Sequence, residues 1–163
     1  MKKIIVIAVC VVLLRIGYGV YLGIEPRVDE SIVYDIYSLL KENGYNAERD
    51  LYKTGFGLSS IKICSIDAII PEGFELDQLA YHPEYFTINV FLYQSENDAI
   101  IKTGQFSPRG DIYLDDYGKY NRFGFFAAVH YFQEGNAIIM YQGVDPVLHK
   151  LLESYCGKQF AGD

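Results

Sequence analysis

The chain has 163 residues, of which 21 are acidic and 14 are basic. A net charge of −7 at pH 7 repels polyanions, so nucleic acid and anionic lipid are excluded as expected partners. Half of the residues are hydrophobic, including 15 tyrosines and 10 phenylalanines, and this supply of core material excludes a disordered chain.

The first 24 residues predict a segment that enters a membrane. Lys2 and Lys3 precede an apolar run over residues 4–14, and apolar residues continue beyond Arg15. A positive start before a short apolar core is typical of a cleaved signal peptide. Residues 4–24 are also about long enough, at roughly 1.5 Å per residue, for one membrane-spanning helix. Signal peptide and uncleaved signal anchor are therefore both compatible with this segment.

The same segment predicts where the domain lies. Because positive residues stay on the cytoplasmic side, residues 25–163 are expected outside the cytoplasm, on a single-pass protein of the cell membrane. Cleavage of the leader would give a secreted protein instead. This single predicted domain keeps all 21 acidic residues and 11 basic ones, a net charge of −10. Such a charge favours a basic protein or peptide of the envelope as partner.

The domain begins with a predicted helix from Asp29, which Asn43 and Gly44 cap at its carboxyl end. Apolar residues recur at spacings of three and four along it, as expected for one buried stripe: Ile32, Val33, Ile36, Leu39 and Leu40. The polar segment 45–57 is predicted to be a loop.

Two strands and a second helix are predicted next. Residues 60–66 alternate in polarity, and residues 86–93 are rich in β-branched and aromatic side chains, so both segments predict strands. Ser95 is expected to cap the following helix, and Gly104 to end it.

The last third predicts a hairpin and a terminal helix. The predicted strands are residues 123–133 and 137–142. The three residues between them, 134–136, include a glycine and therefore predict the turn of a hairpin. Asp145 begins the helix and Gly157 stops it. This order of elements favours an α+β domain of two layers, with a mainly antiparallel sheet and helices packed on one face.

Three segments of this region resemble small exported or membrane-tethered proteins of Gram-positive bacteria. They are SENDA at 95–99, EGNAIIMYQG at 134–143 and GKQFAG at 157–162. The motifs are a helix cap, a hairpin turn and a helix stop, and the resemblance covers roughly the last 70 residues. The resemblance implies an exported α+β protein and carries no catalytic residue or ligand across.

The sequence lacks the motifs of common enzyme and metal sites, such as G-x-S-x-G, a phosphate-binding loop, H-E-x-x-H and paired C-x-x-C. We therefore expect no metal and no cofactor. The sequence favours a non-enzymatic binding or interaction module at the bacterial cell envelope. The alternative is a small extracytoplasmic hydrolase that pairs Cys156 with His149 or His130.

The segment 111–120 is the predicted binding surface, because aspartates and tyrosines are concentrated there. The candidate residues are Asp111, Tyr113, Asp115, Asp116, Tyr117 and Tyr120. Exposed aromatic side chains beside charge recur at interfaces. The alternative is an edge strand whose aspartates discourage aggregation.

Two cysteines remain beyond the leader, Cys64 on a predicted strand and Cys156 on the last predicted helix. Outside the cytoplasm such a pair could oxidise to a disulfide. Two buried, unpaired cysteines that act as small apolar residues are the alternative.

Overall fold

The computed structural model describes residues 28–50, 62–71, 87–124 and 128–162. The predicted leader, residues 1–24, lies outside these ranges. Within them, each helix is too short or too polar to span a bilayer. Export and membrane attachment therefore stay predictions.

The described part of the chain contains three helices and eight strands. In chain order they are α1 (Ser31–Glu42), β1 (Tyr45–Asp50), β2 (Lys62–Pro71), β3 (Thr87–Leu92), α2 (Glu96–Thr103), β4 (Ile112–Leu114), β5 (Tyr120–Arg122), β6 (Val129–Glu134), β7 (Ala137–Gln142), α3 (Pro146–Cys156) and β8 (Ala161–Gly162). Six of the strands form one sheet in the order β1-β2-β3-β7-β6-β8, and β4 pairs with β5 separately. Every described pairing is antiparallel, so the α+β class with a mainly antiparallel sheet is confirmed.

Local sequence signals fix several of these boundaries. The Ser95 hydroxyl accepts a hydrogen bond from the Asp98 amide at the start of α2. Asp145 does the same for α3, where its carboxylate accepts from the Val147 and Leu148 amides. These caps lie where the sequence predicts them.

Two strand predictions need correction. The strand predicted from residue 123 begins at Val129, so the hairpin of β6 and β7 is shorter than expected. The segment 45–57, predicted to be a loop, begins with strand β1. Tyr45 and Ala47 are buried in β1 while Asn46 and Glu48 are exposed, which is the alternation of a half-buried strand.

The large sheet is covered on both faces, which corrects the prediction of two layers with helices on one face. Helices α1 and α3 pack on one side, here named the aliphatic face, with Ile88, Val90 and Leu92 of β3. Helix α2 and the β4–β5 hairpin cover the other side, the aromatic face, where Phe91 points. Because strands β3, β6 and β7 are apolar at successive positions, both of their faces require cover.

Candidate functional site

The predicted binding segment 111–120 folds as most of the β4–β5 hairpin. Ile112 pairs with Arg122, and Leu114 pairs with Tyr120 across the two strands. The acidic and tyrosine-rich composition therefore belongs to an ordered hairpin on the aromatic face rather than to a loop.

Asp115 organises the turn of this hairpin. Its carboxylate accepts hydrogen bonds from the backbone amides of Lys119, at 2.8 Å, and Tyr117, at 3.0 Å. The side-chain amide of Asn121 donates a third, at 3.1 Å. These bonds favour the ionised carboxylate and lower the pKa of Asp115, with the Lys119 amide as the largest cause. Asp115 is thus a structural residue of the turn.

Asp116 connects the turn to helix α2. Its carboxylate forms an ion pair with the ammonium group of Lys102. The Gln105 side-chain amide also donates to Asp116, at 3.3 Å. The hairpin is therefore attached to the helix that packs on the same face of the sheet.

Asp111 lies at the other end of β4 and also has internal partners. The Ser107 hydroxyl donates to its carboxylate at 2.9 Å. A guanidinium nitrogen of Arg122 lies 3.5 Å from the second carboxylate oxygen, although the Arg122 side chain is largely exposed. All three candidate aspartates thus serve the hairpin itself.

The three aspartates do not converge on a cation site. Across the ranges that the structure describes, no group of three or more histidine, cysteine, aspartate or glutamate side chains is arranged to hold a metal ion. Each of these carboxylates points to a different set of donors, so the acidity of the segment is structural.

Tyr113 is a core residue, although the sequence suggests a binding role for it. Its ring is fully buried. Phe106 lies 5.2 Å away between ring centroids, and Phe123 stacks at 6.5 Å. Tyr113 therefore anchors the hairpin to the aromatic face and is removed from any exposed surface.

Tyr117 and Tyr120 are the exposed members of the segment, and we name this pair the tyrosine tip. Tyr117 is 96% exposed and Tyr120 is 74% exposed. On the attached helix α2, Ile100 and Ile101 are exposed as well. The hairpin thus presents two aromatic rings to solvent from a backbone that internal bonds hold in place.

The two histidines that the hydrolase alternative offers as partners of Cys156 lie next to each other. His130 of β6 and His149 of α3 have ring centroids 4.6 Å apart. The Gln159 side-chain oxygen lies 2.8 Å from His130 Nδ1 and 2.9 Å from His149 Nε2. Gln159 has no sequence signal, because it joins elements 29 and 10 residues away through the tertiary fold alone.

The cysteines are poor candidates for chemistry. Cys64 and Cys156 are both buried, and their pairing stays a prediction. Burial raises the pKa of the Cys156 thiol to about 12, and the nearby Glu134 carboxylate adds to this effect. At neutral pH the thiol is protonated, whereas a cysteine nucleophile acts as the thiolate. This geometry gives no support to the hydrolase alternative.

Comparison with known proteins does not assign a function to this chain. No protein-family model, no curated protein and no solved structure matches the chain. The resemblance to small exported proteins is accordingly untested, and the function rests on the surface described above.

Proposed function

We propose that the chain is a non-enzymatic binding module of the bacterial cell envelope, and that the tyrosine tip contacts its partner. The single observation that carries this proposal is the exposure of Tyr117 and Tyr120 on a hairpin fixed by internal hydrogen bonds. Tyrosine is enriched at protein interfaces, so the exposure of these two rings favours a binding role.

Tyrosine side chains suit this role energetically. Each buries a large amphipathic area at an interface while few rotatable bonds are frozen. The backbone of the tip is held by the Asp115 bonds to Tyr117 and Lys119, and the ion pair between Asp116 and Lys102 attaches it to α2. A partner would therefore bind a preformed surface, which lowers the entropic cost of binding.

In this proposal, the net charge of the domain and the tyrosine tip have different roles in binding. The net charge of residues 25–163, −10, favours a basic protein or peptide at long range. At the tip the aspartates are engaged by internal donors, so the tyrosines supply the contact in the bound complex. Salt is then expected to slow association, while loss of the rings is expected to speed dissociation.

The envelope location is proposed from the leader and from the acidic character of the domain behind it. Lys2 and Lys3 before the apolar run would remain in the cytoplasm, and the tyrosine tip would face the outside. The function needs no cofactor or metal at the tip.

A recovery experiment tests the tip. The full chain is used as bait in a detergent extract of the envelope, and its partner is quantified for wild type and for Tyr117→Ser combined with Tyr120→Ser. We expect recovery to fall about tenfold or more, because interface aromatic residues carry a large share of binding energy.

The matched control is Tyr34→Ser, which removes a half-exposed tyrosine from α1 on the opposite face. It should leave recovery unchanged. Equal recovery with wild type and with the double variant, when both melt at the same temperature, would refute the tyrosine tip as the contact surface.

A further inference from the structure

The rings of His130 and His149 direct one nitrogen each at a common point. That point is occupied by the side-chain oxygen of Gln159, 2.8 Å from His130 Nδ1 and 2.9 Å from His149 Nε2. The rings meet edge to face, with 65° between their planes. Neither nitrogen is oriented by a local sequence motif, so the convergence is a product of the fold.

Because one ring nitrogen of each histidine directs a hydrogen bond at the Gln159 oxygen, the same nitrogens can direct their lone pairs at that point. A neutral imidazole carries a proton on one nitrogen and a lone pair on the other, and both lie in the ring plane. The direction in which a nitrogen donates to Gln159 is therefore the direction of its lone pair in the other tautomer. In that tautomer, His130 and His149 aim two lone pairs at one point.

We propose that His130 and His149 form a binding site for a divalent transition-metal ion of the zinc and nickel class, near the position of the Gln159 oxygen. Imidazole nitrogen is a favoured ligand of these ions. Metal–nitrogen bonds of roughly 2.0–2.1 Å need each ring to approach the point by about 1 Å. The amide oxygen of Gln159 moves aside, and water completes the coordination.

The protons balance without net release. Each neutral ring keeps one proton, which moves through solvent from His130 Nδ1 to Nε2 and from His149 Nε2 to Nδ1. The ring nitrogens that face the ion then each donate an electron pair, and neither ring changes its charge.

Regular secondary structure carries both ligands, and contacts with neighbouring rings orient them. His130 lies in the sheet, and its ring stacks on Tyr141 at 5.5 Å. His149 lies on α3, and its ring packs 5.6 Å from Phe132. Gln159 lies between α3 and β8, outside the regular elements, so it is the part of the cluster that can move most easily. With two imidazoles, the affinity is expected to be weaker than that of four-ligand structural zinc sites.

Nickel titration of the untagged full chain in detergent tests this site. Ni²⁺ is used because it binds imidazole without oxidising the thiols of the three cysteines. We expect His149→Gln to weaken Ni²⁺ affinity about tenfold or more, since one of two protein ligands is lost. Gln159→Ala should keep or strengthen the affinity, because it clears the point at which the ion binds. The matched control, Ser154→Ala at an exposed position of the same helix as His149, should leave it unchanged.

A second measurement decides the matter if a variant does not fold. In wild-type protein, paramagnetic Ni²⁺ should broaden the imidazole NMR signals of His130 and His149 at lower concentration than those of His82, the third histidine of the chain. Broadening of His82 first, or equal Ni²⁺ affinity in wild type and folded His149→Gln, overturns the proposal.

Discussion

The two faces of the sheet differ in how they are built. On the aliphatic face, α1 and α3 seal the strands with branched side chains such as Ile36 and Leu152. On the aromatic face, the cover includes tyrosine and phenylalanine rings, among them Tyr93, Tyr113 and Phe106. Tyrosine brings hydroxyl groups into a core, where each needs a partner. The aliphatic face is therefore specialised for stability, whereas the aromatic face also supports an exposed hairpin.

The largest effect is expected on the aliphatic face. Leu152→Asp places a carboxylate at a fully buried position of α3, without a positive partner of its own. We expect a loss of roughly 3–5 kcal/mol in the free energy of unfolding, measured by urea titration. Val147→Asp is the control, because Val147 lies on the same helix and is 64% exposed. Similar losses for both variants would contradict the packing of α3.

A pair of glycines tests how tightly the aromatic face is packed. Gly110 has φ of +71°, and a Cβ there would lie 2.6 Å from Tyr131 Cε2. Gly118 has φ of +75°, and a Cβ added at Gly118 would have no non-neighbouring atom within 4 Å. Both alanine variants carry backbone strain of about 1–2 kcal/mol, and only Gly110→Ala adds overpacking of about 1–3 kcal/mol.

The difference between these two variants isolates the packing term, because their backbone conformations match. It is measured as the difference in urea-unfolding free energy. If Gly118→Ala were as destabilising as Gly110→Ala, the Tyr131 ring would not be tightly enclosed.

The same substitution is expected to have opposite signs on the two faces. The Tyr93 hydroxyl is buried on the aromatic face with no hydrogen-bond partner among the described residues. Tyr93→Phe should therefore be neutral or stabilise by about 0.5–1 kcal/mol. On the aliphatic face, the Tyr45 hydroxyl donates to Asp145 at 2.8 Å. Tyr45→Phe should cost about 1–2 kcal/mol, because a bond to a carboxylate is lost.

Thermal unfolding at neutral pH measures both changes. Loss of stability in Tyr93→Phe would mean that its hydroxyl has a partner in the folded protein. An unchanged Tyr45→Phe would mean that the Tyr45–Asp145 bond adds nothing to stability.

The smallest effect concerns the pH dependence of the hairpin turn. Hydrogen bonds hold the pKa of Asp115 below its ordinary value of 3.8. The ionised carboxylate is therefore favoured by folding, and its contribution is complete above pH about 4 and is lost as the pH falls further. NMR should show that the protection factor of the Lys119 amide, its exchange rate relative to an unstructured amide at the same pH, falls in acid, and Asp115→Asn should remove this change. A protection factor that still falls in acid in Asp115→Asn would contradict the assignment.

Local features of the fold were predictable, because local residues cause them. The caps at Ser95 and Asp145 act on amides two or three positions away, and the turn of the β6–β7 hairpin is encoded by its own residues. The side of the sheet on which α2 packs could not be predicted in this way. The central strands have buried residues on both faces. This pattern predicts that both faces are covered, but it does not predict which helix covers which face.

The candidate site was also predictable only where local sequence determines it. Composition singled out the segment 111–120, and the tyrosine tip lies within it. Composition could not separate Tyr113, which faces the core, from Tyr117 and Tyr120, because strand pairing decides which side chains point inward. The hydrogen bonds that Gln159 accepts from the two histidines were equally beyond prediction, since three separate segments of the chain supply the groups.

The side-chain amide of Asn136 connects parts of the chain that are far apart in sequence. It donates to the backbone oxygen of Asp29 at 3.1 Å and to that of Tyr93 at 3.0 Å. One amide group in the β6–β7 turn therefore joins the segment before α1 to the end of β3. Its bonds exist only after the early, middle and late parts of the chain have assembled. These hydrogen bonds stabilise the native state more than the transition state of folding. They should therefore slow unfolding more than they speed folding.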